Sequence, residues 1–487
     1  MKFVDIEWGS SEAKGDGNLK DYFYEFPGFD MIMKGNYRYI IGRKGTGKTA
    51  VIEVVKNKVD KDPLAFYAEM SLKDFPITIL KELRDKGFEG KAQYVPVWEF
   101  LILSQICRTI IYKDNGTSSI EAVDDLRRFY EDNDIENLSA TQTLTVMKER
   151  NSKFQISALL KYLQTTVGFD KKKSMTMVMD IHYQKISLAI KELIKTINTQ
   201  SVYHVFLDEL DEEFKSGDKS NKTLILSLLR AVENLNTYFT DNTSVSFRPL
   251  VALRSDIYNT LQDDNDTNKL HDFIFKLDWS IDIEDTKDTD MSIINIINRR
   301  INFSDEDKNC SWPDIVRDDA PDYIKGGIWS YITSRTFTRP RDVIKYLKIC
   351  QDKNPIHDLS FKNVESSEST YSEWFYNEIR NEIYTHLPVW DECLNVFRDI
   401  GYFRTTKDEF IRRIKTRPRV NKYLQDSGKI ADDLIEQLFN FSLIGNIDDK
   451  GRWSFKYKDD DTLWNNEADL ILHFGISKKF RLPTYRR

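Results

Sequence analysis

Eight residues, Gly42-Arg43-Lys44-Gly45-Thr46-Gly47-Lys48-Thr49, restrict the architecture of this chain more than any other feature. Two glycines with four residues between them, then a lysine and a hydroxyl residue, have the spacing of a phosphate-binding loop between a strand and a helix. Each residue type has a mechanical reason. Glycines let a tight loop turn its backbone N–H groups inward around phosphate oxygens. The helix that follows favours anions at its N-terminus. Lys48 is placed to reach the β- and γ-phosphates, and the Thr49 hydroxyl to take a position on Mg²⁺.

The flanks agree with that reading. Residues 37–41, Tyr-Arg-Tyr-Ile-Ile, are aromatic and β-branched and read as a strand. From Ala50 onward the apolar positions recur at helical spacing. Far downstream, residues 202–207 form a nearly continuous apolar run of buried-strand type that ends in Asp208-Glu209. An acid at the carboxyl end of such a strand is where a parallel sheet places its ligand chemistry. Asp208 is expected to hold Mg²⁺, and Glu209 to orient or deprotonate an attacking water. Asp211 and Glu212 read as helix N-terminal charges, and His204, inside the strand, as a core histidine.

Further strands are expected at 64–70, 249–253 and 273–279, with a helix at 222–236. Arg254 follows the 249–253 strand. It would either face a γ-phosphate or pair locally with Asp256. About 130 residues separate the second strand from the acidic one, far more than a crossover needs. They predict a helical insertion over 90–198, carried on a loop. The aromatic lead-in at 22–26 fits packing against the sheet better than cover for a base. An acidic hinge at 280–290 precedes a helical region, where Thr338-Arg339-Pro340-Arg341 opens a helix with Pro340 in its first turn. Arg341 would reach towards a nucleotide, or both arginines would be surface charges near Asp342. Residues 360–369 are polar and serine-rich and read as a linker. Beyond them come amphipathic helices at 375–400, 408–414 and 431–439. A hairpin follows at 443–457, a succession that reads as a winged helix.

Charge divides the chain unevenly. The net charge is −7, yet residues 401–487 hold 18 Lys/Arg against 13 Asp/Glu. The basic run 412–419 would contact phosphates of DNA, or dock on the acidic body of the protein. Four dispersed cysteines and six unclustered histidines provide neither a disulfide framework nor a metal site. The N-terminus does not read as a signal peptide. Residues 97–112 contain Glu99, Gln105 and Arg108, too short and too polar a stretch to span a bilayer. The expectation is a cytoplasmic protein without a membrane role.

Together, residues 42–49, Leu207-Asp208-Glu209, Leu253-Arg254 and Pro340-Arg341, followed by a winged helix, resemble AAA+/STAND-type P-loop ATPases. The arrangement is similar to origin-recognition initiators and KAP-type NTPases. The forms Gly-Arg-Lys-Gly and Phe-Leu-Asp-Glu-Leu-Asp look most like bacterial P-loop ATPases associated with mobile elements and defence against phage. The resemblance implies an α/β fold with a P-loop NTPase parallel sheet of ASCE type. It implies an ATPase core over 1–280, a helical lid over 281–357 and a winged-helix-like domain over 370–487. It also implies ATP and Mg²⁺ as ligands, and an ATPase switch that controls a partner effector protein. By position, residues 42–50 would bind the nucleotide, Thr49 and Asp208 the metal, and Glu209 the water. Lys48 and Arg254 would neutralise charge, and Arg341 would be the lid arginine. A homo-oligomer is common in such proteins, but no arginine lies between Arg254 and Phe273 to serve a neighbour's site. The alternatives are a DNA-binding initiator or loader acting through the winged helix, and an ATP-bound scaffold with little turnover.

Overall fold

The computed structural model describes residues 1–71, 77–83, 90–114, 120–149, 153–167, 178–180, 183–210, 219–261, 267–280, 287, 290–353, 355, 357–384, 386–458 and 462–482. The chain forms two units. One comprises residues 28–44 and 48–277; the other comprises 1–27, 45–47 and 278–487. Asp211, Glu212 and most of the 280–290 segment lie outside the described residues.

The first unit is built on a five-stranded sheet of β1 (Tyr39–Ile41), β2 (Ala65–Ser71), β3 (Val202–Asp208), β4 (Ser246–Leu253) and β5 (Ile274–Lys276). The order is β2-β3-β4-β1-β5, and every pairing is parallel. Parallel neighbours need crossovers. Helix α1 (Lys48–Val59) leaves β1, and α4 (Lys219–Asn242) lies between β3 and β4. Strand β4 sits between β1 and β3, with Ile41 beside Leu253 and Leu207 beside Val251. The carboxyl ends of three strands distant in sequence therefore share one edge. The strand expected at 273–279 is shorter than its apolar pattern. Its pairing stops at Lys276, and Trp279 turns away into other packing.

Among the described residues, the stretch between β2 and β3 is mostly helical, with a small antiparallel ribbon of Lys153–Gln155 and Val178–Asp180. It is not a satellite on a loop. Helix α2 (Val95–Tyr112) and α3 (Tyr183–Ile194) enter the main core. Leu101, Ile106 and Ile110 belong to one apolar cluster with Val205 and Leu207 of β3 and Leu228 and Val232 of α4. Helix α2 is also longer than its sequence suggested. Its 18 residues make it the one helix, among those described, long and apolar enough to cross a membrane. Yet 83% of it is buried inside the fold, as suits a predominantly apolar helix at the centre of a core.

The second unit contains α5 (Ile293–Ser304), α6 (Pro340–Lys353), α7 (Phe361–Ile383) and α8 (Trp390–Ile400). Here the structure overturns the linker reading of 360–369, because these residues begin α7. Ser360 and Asn363 form its capping box. The serine-rich composition is an inward polar seam: Ser367, Glu368 and Ser372 are fully buried. Glu368 accepts hydrogen bonds from Arg335 Nε at 2.6 Å and the Tyr331 hydroxyl at 2.8 Å. The helices expected over 375–400 are the end of α7, which stops at Ile383, and α8, which begins at Trp390.

Beyond α8 lie β6 (Arg404–Thr405), helices α9 (Lys407–Ile414), α10 (Pro418–Ser427) and α11 (Ala431–Asn440), then β7 (Ile444–Ile447), β8 (Trp453–Ser454) and β9 (Asp469–Leu472). The expected hairpin is present as β7 and β8, though β8 has only two residues. The antiparallel sheet has four strands rather than two, in the order β6-β9-β7-β8.

Candidate nucleotide site

The phosphate-loop residues occupy the turn between β1 and α1, where the pattern requires them. Gly45 and Gly47 have φ of +85° and +105°. A side chain would be strained at either, so the backbone explains why glycines stand there. Helix α1 begins at Lys48, which puts Thr49 and Ala50 in its first turn. The Lys48 ammonium donates to the carbonyls of Gly42 at 2.8 Å and Arg43 at 3.0 Å, folding back over its own loop. Arg43 and Lys44 complete the loop's basic character.

The metal-ligand expectation brings together two residues 159 positions apart. Thr49 Oγ1 donates to Asp208 Oδ2 at 3.0 Å. Asp208 is almost wholly buried at the end of β3, and its other oxygen accepts the Glu209 backbone N–H at 2.8 Å. A hydroxyl and a carboxylate meeting beside a glycine loop form an all-oxygen donor set that suits Mg²⁺. Glu209 itself has φ of +62°. For a residue with a side chain such a backbone costs roughly 1–3 kcal/mol, and strain of this kind is typical of functional positions.

Sequence reasoning missed Ser71. It ends β2, pairs in register with Asp208, and its hydroxyl donates to the Glu209 carboxylate. The signal was available. A polar residue closing an apolar strand lies at the same sheet edge as the acids, and the strand-end rule applied to Asp208 covers it equally.

Arg254 lies at that edge too, just beyond β4, but its guanidinium grips Asp256 with two hydrogen bonds of 2.9 and 2.6 Å. The local pairing therefore exists in this state. Arg341 stands in the first turn of α6, as expected, and pairs with Glu378 at 3.5 Å. Its backbone N–H donates to the Gly45 carbonyl at 3.4 Å. Arg339 is no surface charge: it is fully buried, bound to Asp342 at 2.8 Å and Glu382 at 2.9 Å. Burial alone would lower its pKa, but the two carboxylates outweigh burial and hold it above the ordinary arginine value.

The expected core position of His204 holds. His204 is buried and stacks on Phe206, and burial, aided by Arg248, pushes its pKa down to about 4. Tyr24 and Phe26, expected to pack on the sheet, are instead buried against Trp279, beyond the end of β5, with ring centroids at 6.4 and 5.6 Å. The basic run is largely engaged within its own domain: Arg412 and Arg413 pair with Glu409, Arg417 with Asp399 and Arg419 with Glu392. Among the described residues, no cluster of histidine, cysteine or acidic side chains forms a separate metal site.

No curated protein shows a significant match to the chain. Residues 291–380, from the start of α5 to near the end of α7, match the family described as the FunZ-associated C-terminal helical domain. The chain thus joins a central parallel sheet that fits a P-loop fold to a helical segment similar to a FunZ-associated domain.

Proposed function

We propose that this protein is an Mg²⁺-dependent ATP-binding and ATP-hydrolysing switch that controls a partner effector in antiviral defence. The observation that carries the ATPase part is the convergence at one sheet edge. A glycine loop, the Thr49–Asp208 pair and the strained Glu209 come from β1, α1 and β3 and meet there. The strand order, with β4 between β1 and β3, supports an ASCE-type sheet, in which a water can be held opposite the phosphate loop. The match to a FunZ-associated domain supports the defence context.

The residues have separable roles. Backbone N–H groups of residues 45–49 and the Lys48 ammonium bind the phosphates, which requires Lys48 to leave the loop carbonyls it now holds. Thr49 and Asp208 hold the metal. When bound, Mg²⁺ neutralises phosphate charge. Glu209 orients a water and takes its proton as the water oxygen bonds to the γ-phosphorus and the bond to the β-phosphate oxygen breaks. Arg254 is an unassigned reserve of positive charge that becomes available if its pairing with Asp256 opens. The helices and hairpin of 401–457 are read as a winged helix whose arginines serve internal docking rather than DNA.

The test is hydrolysis and binding measured on the wild type, Lys48→Ala and Glu209→Gln, with and without duplex and single-stranded DNA. The reading expects no nucleotide binding by Lys48→Ala, and tight binding with very slow turnover by Glu209→Gln. Normal turnover by Glu209→Gln would remove Glu209 from the mechanism. Tight binding with negligible turnover by the wild type would favour a scaffold, and turnover only with DNA would favour a loader.

A further inference from the structure

The tip of the phosphate loop, residues 45–47, packs as part of the unit that contains residues 278–487. Two of its carbonyls are held there. The indole Nε1–H of Trp279 donates to the Thr46 carbonyl at 2.9 Å in a buried hydrogen bond. The Arg341 backbone N–H donates to the Gly45 carbonyl at 3.4 Å. A Cβ added to Gly45 would stand 3.3 Å from the Arg341 Cβ and 3.6 Å from the Arg339 Cδ, so the tip has little freedom on that side.

Peptide geometry turns these bonds into a statement about donors. The loop's peptide bonds are trans, so each carbonyl points opposite to the N–H of the next residue. Fixing the Gly45 carbonyl aims the Thr46 N–H the other way, and fixing the Thr46 carbonyl does the same for the Gly47 N–H. Left-handed backbone at Gly45 and Gly47 lets consecutive N–H groups converge into an anion-binding concavity. We propose that Trp279 is a positioning residue for the phosphate site, whose indole N–H presets the Gly47 amide for phosphate by capturing the Thr46 carbonyl behind it. The proposal rests on the phosphate-binding reading of residues 42–49. Trp279 is itself wedged between Tyr24 and Phe26, so the ring is fixed before any ligand arrives.

Trp279→Phe keeps an aromatic ring between Tyr24 and Phe26 and removes the donor together with part of the buried ring volume. Trp8→Phe is its control: Trp8 is equally buried, and its indole nitrogen has no hydrogen-bond partner among the described residues. Calorimetric titration with Mg·ATP compares these two with the wild type and Lys48→Ala. The expected result is about three- to tenfold weaker binding by Trp279→Phe, the worth of one neutral hydrogen bond. Trp8→Phe should bind as the wild type does. As a spectroscopic check, the ¹⁵N-indole resonance that disappears in Trp279→Phe should shift when Mg·ATP is added to the wild type, and not in Lys48→Ala. Unchanged affinity of Trp279→Phe, alongside lost binding by Lys48→Ala, overturns the positioning role and leaves the phosphate reading standing. Equal weakening by Trp8→Phe also overturns it, as general packing damage. Failure of the wild type to bind Mg·ATP overturns both.

Discussion

Arg339→Met and Arg341→Met differ by two positions in sequence and should differ several-fold in cost. The Arg339 side chain is 2% exposed, and those of its partners Asp342 and Glu382 are 0% and 8% exposed. Methionine fills a similar volume but strands two carboxylates away from water. Asp342 keeps the Phe337 backbone N–H as a donor at 3.1 Å, which offsets part of the loss. Breaking a buried ion pair from one side costs roughly 3–5 kcal/mol. Arg341 is 27% exposed, and its contact with Glu378 is 3.5 Å, a screened pair worth no more than about 1 kcal/mol. At about 2–4 °C per kcal/mol for a unit of this size, Arg339→Met should lower the melting temperature by roughly 6–20 °C, and Arg341→Met by less than about 4 °C. Differential scanning calorimetry of both variants decides. Equal shifts, or a shift below about 3 °C for Arg339→Met, would refute the assignment of a buried ionic centre to Arg339.

Other expectations follow from particular contacts. His204 is held neutral, with its pKa lowered to about 4 from an ordinary 6.5. The unfolded chain therefore binds the extra proton between those values. The stability this contributes, about 3 kcal/mol, is present above pH 6.5 and lost as pH falls through 4. His204→Phe should flatten that part of a denaturant-midpoint profile; an unchanged slope would assign it elsewhere. Gly45→Ala should weaken Mg·ATP binding at least tenfold, since it combines a left-handed backbone with a 3.3 Å contact, and wild-type affinity would show that the loop re-forms freely. Freeing the paired arginines by Glu392→Gln, Asp399→Asn and Glu409→Gln together should raise affinity for duplex DNA at low salt and steepen its salt dependence, measured by fluorescence anisotropy. No change would mean that these arginines face no nucleic acid even when released.

Residues whose position follows from local chemistry were legible in the sequence. The glycine loop, the apolar run ending at Asp208 and the strand before Arg254 announce themselves through backbone demands and unbroken burial. Pro340 marks its helix start for the same reason. What sequence concealed was polar burial. Arg339 and Glu368 look like surface residues because partners tens of positions away, Glu382 and Arg335, make their burial tolerable. The serine-rich start of α7 misled in the same way, since composition cannot say which side of a helix is covered. Ser71 was overlooked because its significance comes only from register with Asp208.

The placement of α2 also governs how the protein lives and breaks. Because Leu101 and Ile106 share one apolar cluster with the strand that ends in Asp208, excising 90–198 would not yield a minimal version of the sheet and its candidate site. It would strip one face of the sheet and leave an aggregation-prone remnant. The same continuity makes the excursion and the chemistry a single cooperative block. A ligand or partner that loosens α2 would loosen β3 with it, and hydrogen exchange along both should rise and fall together.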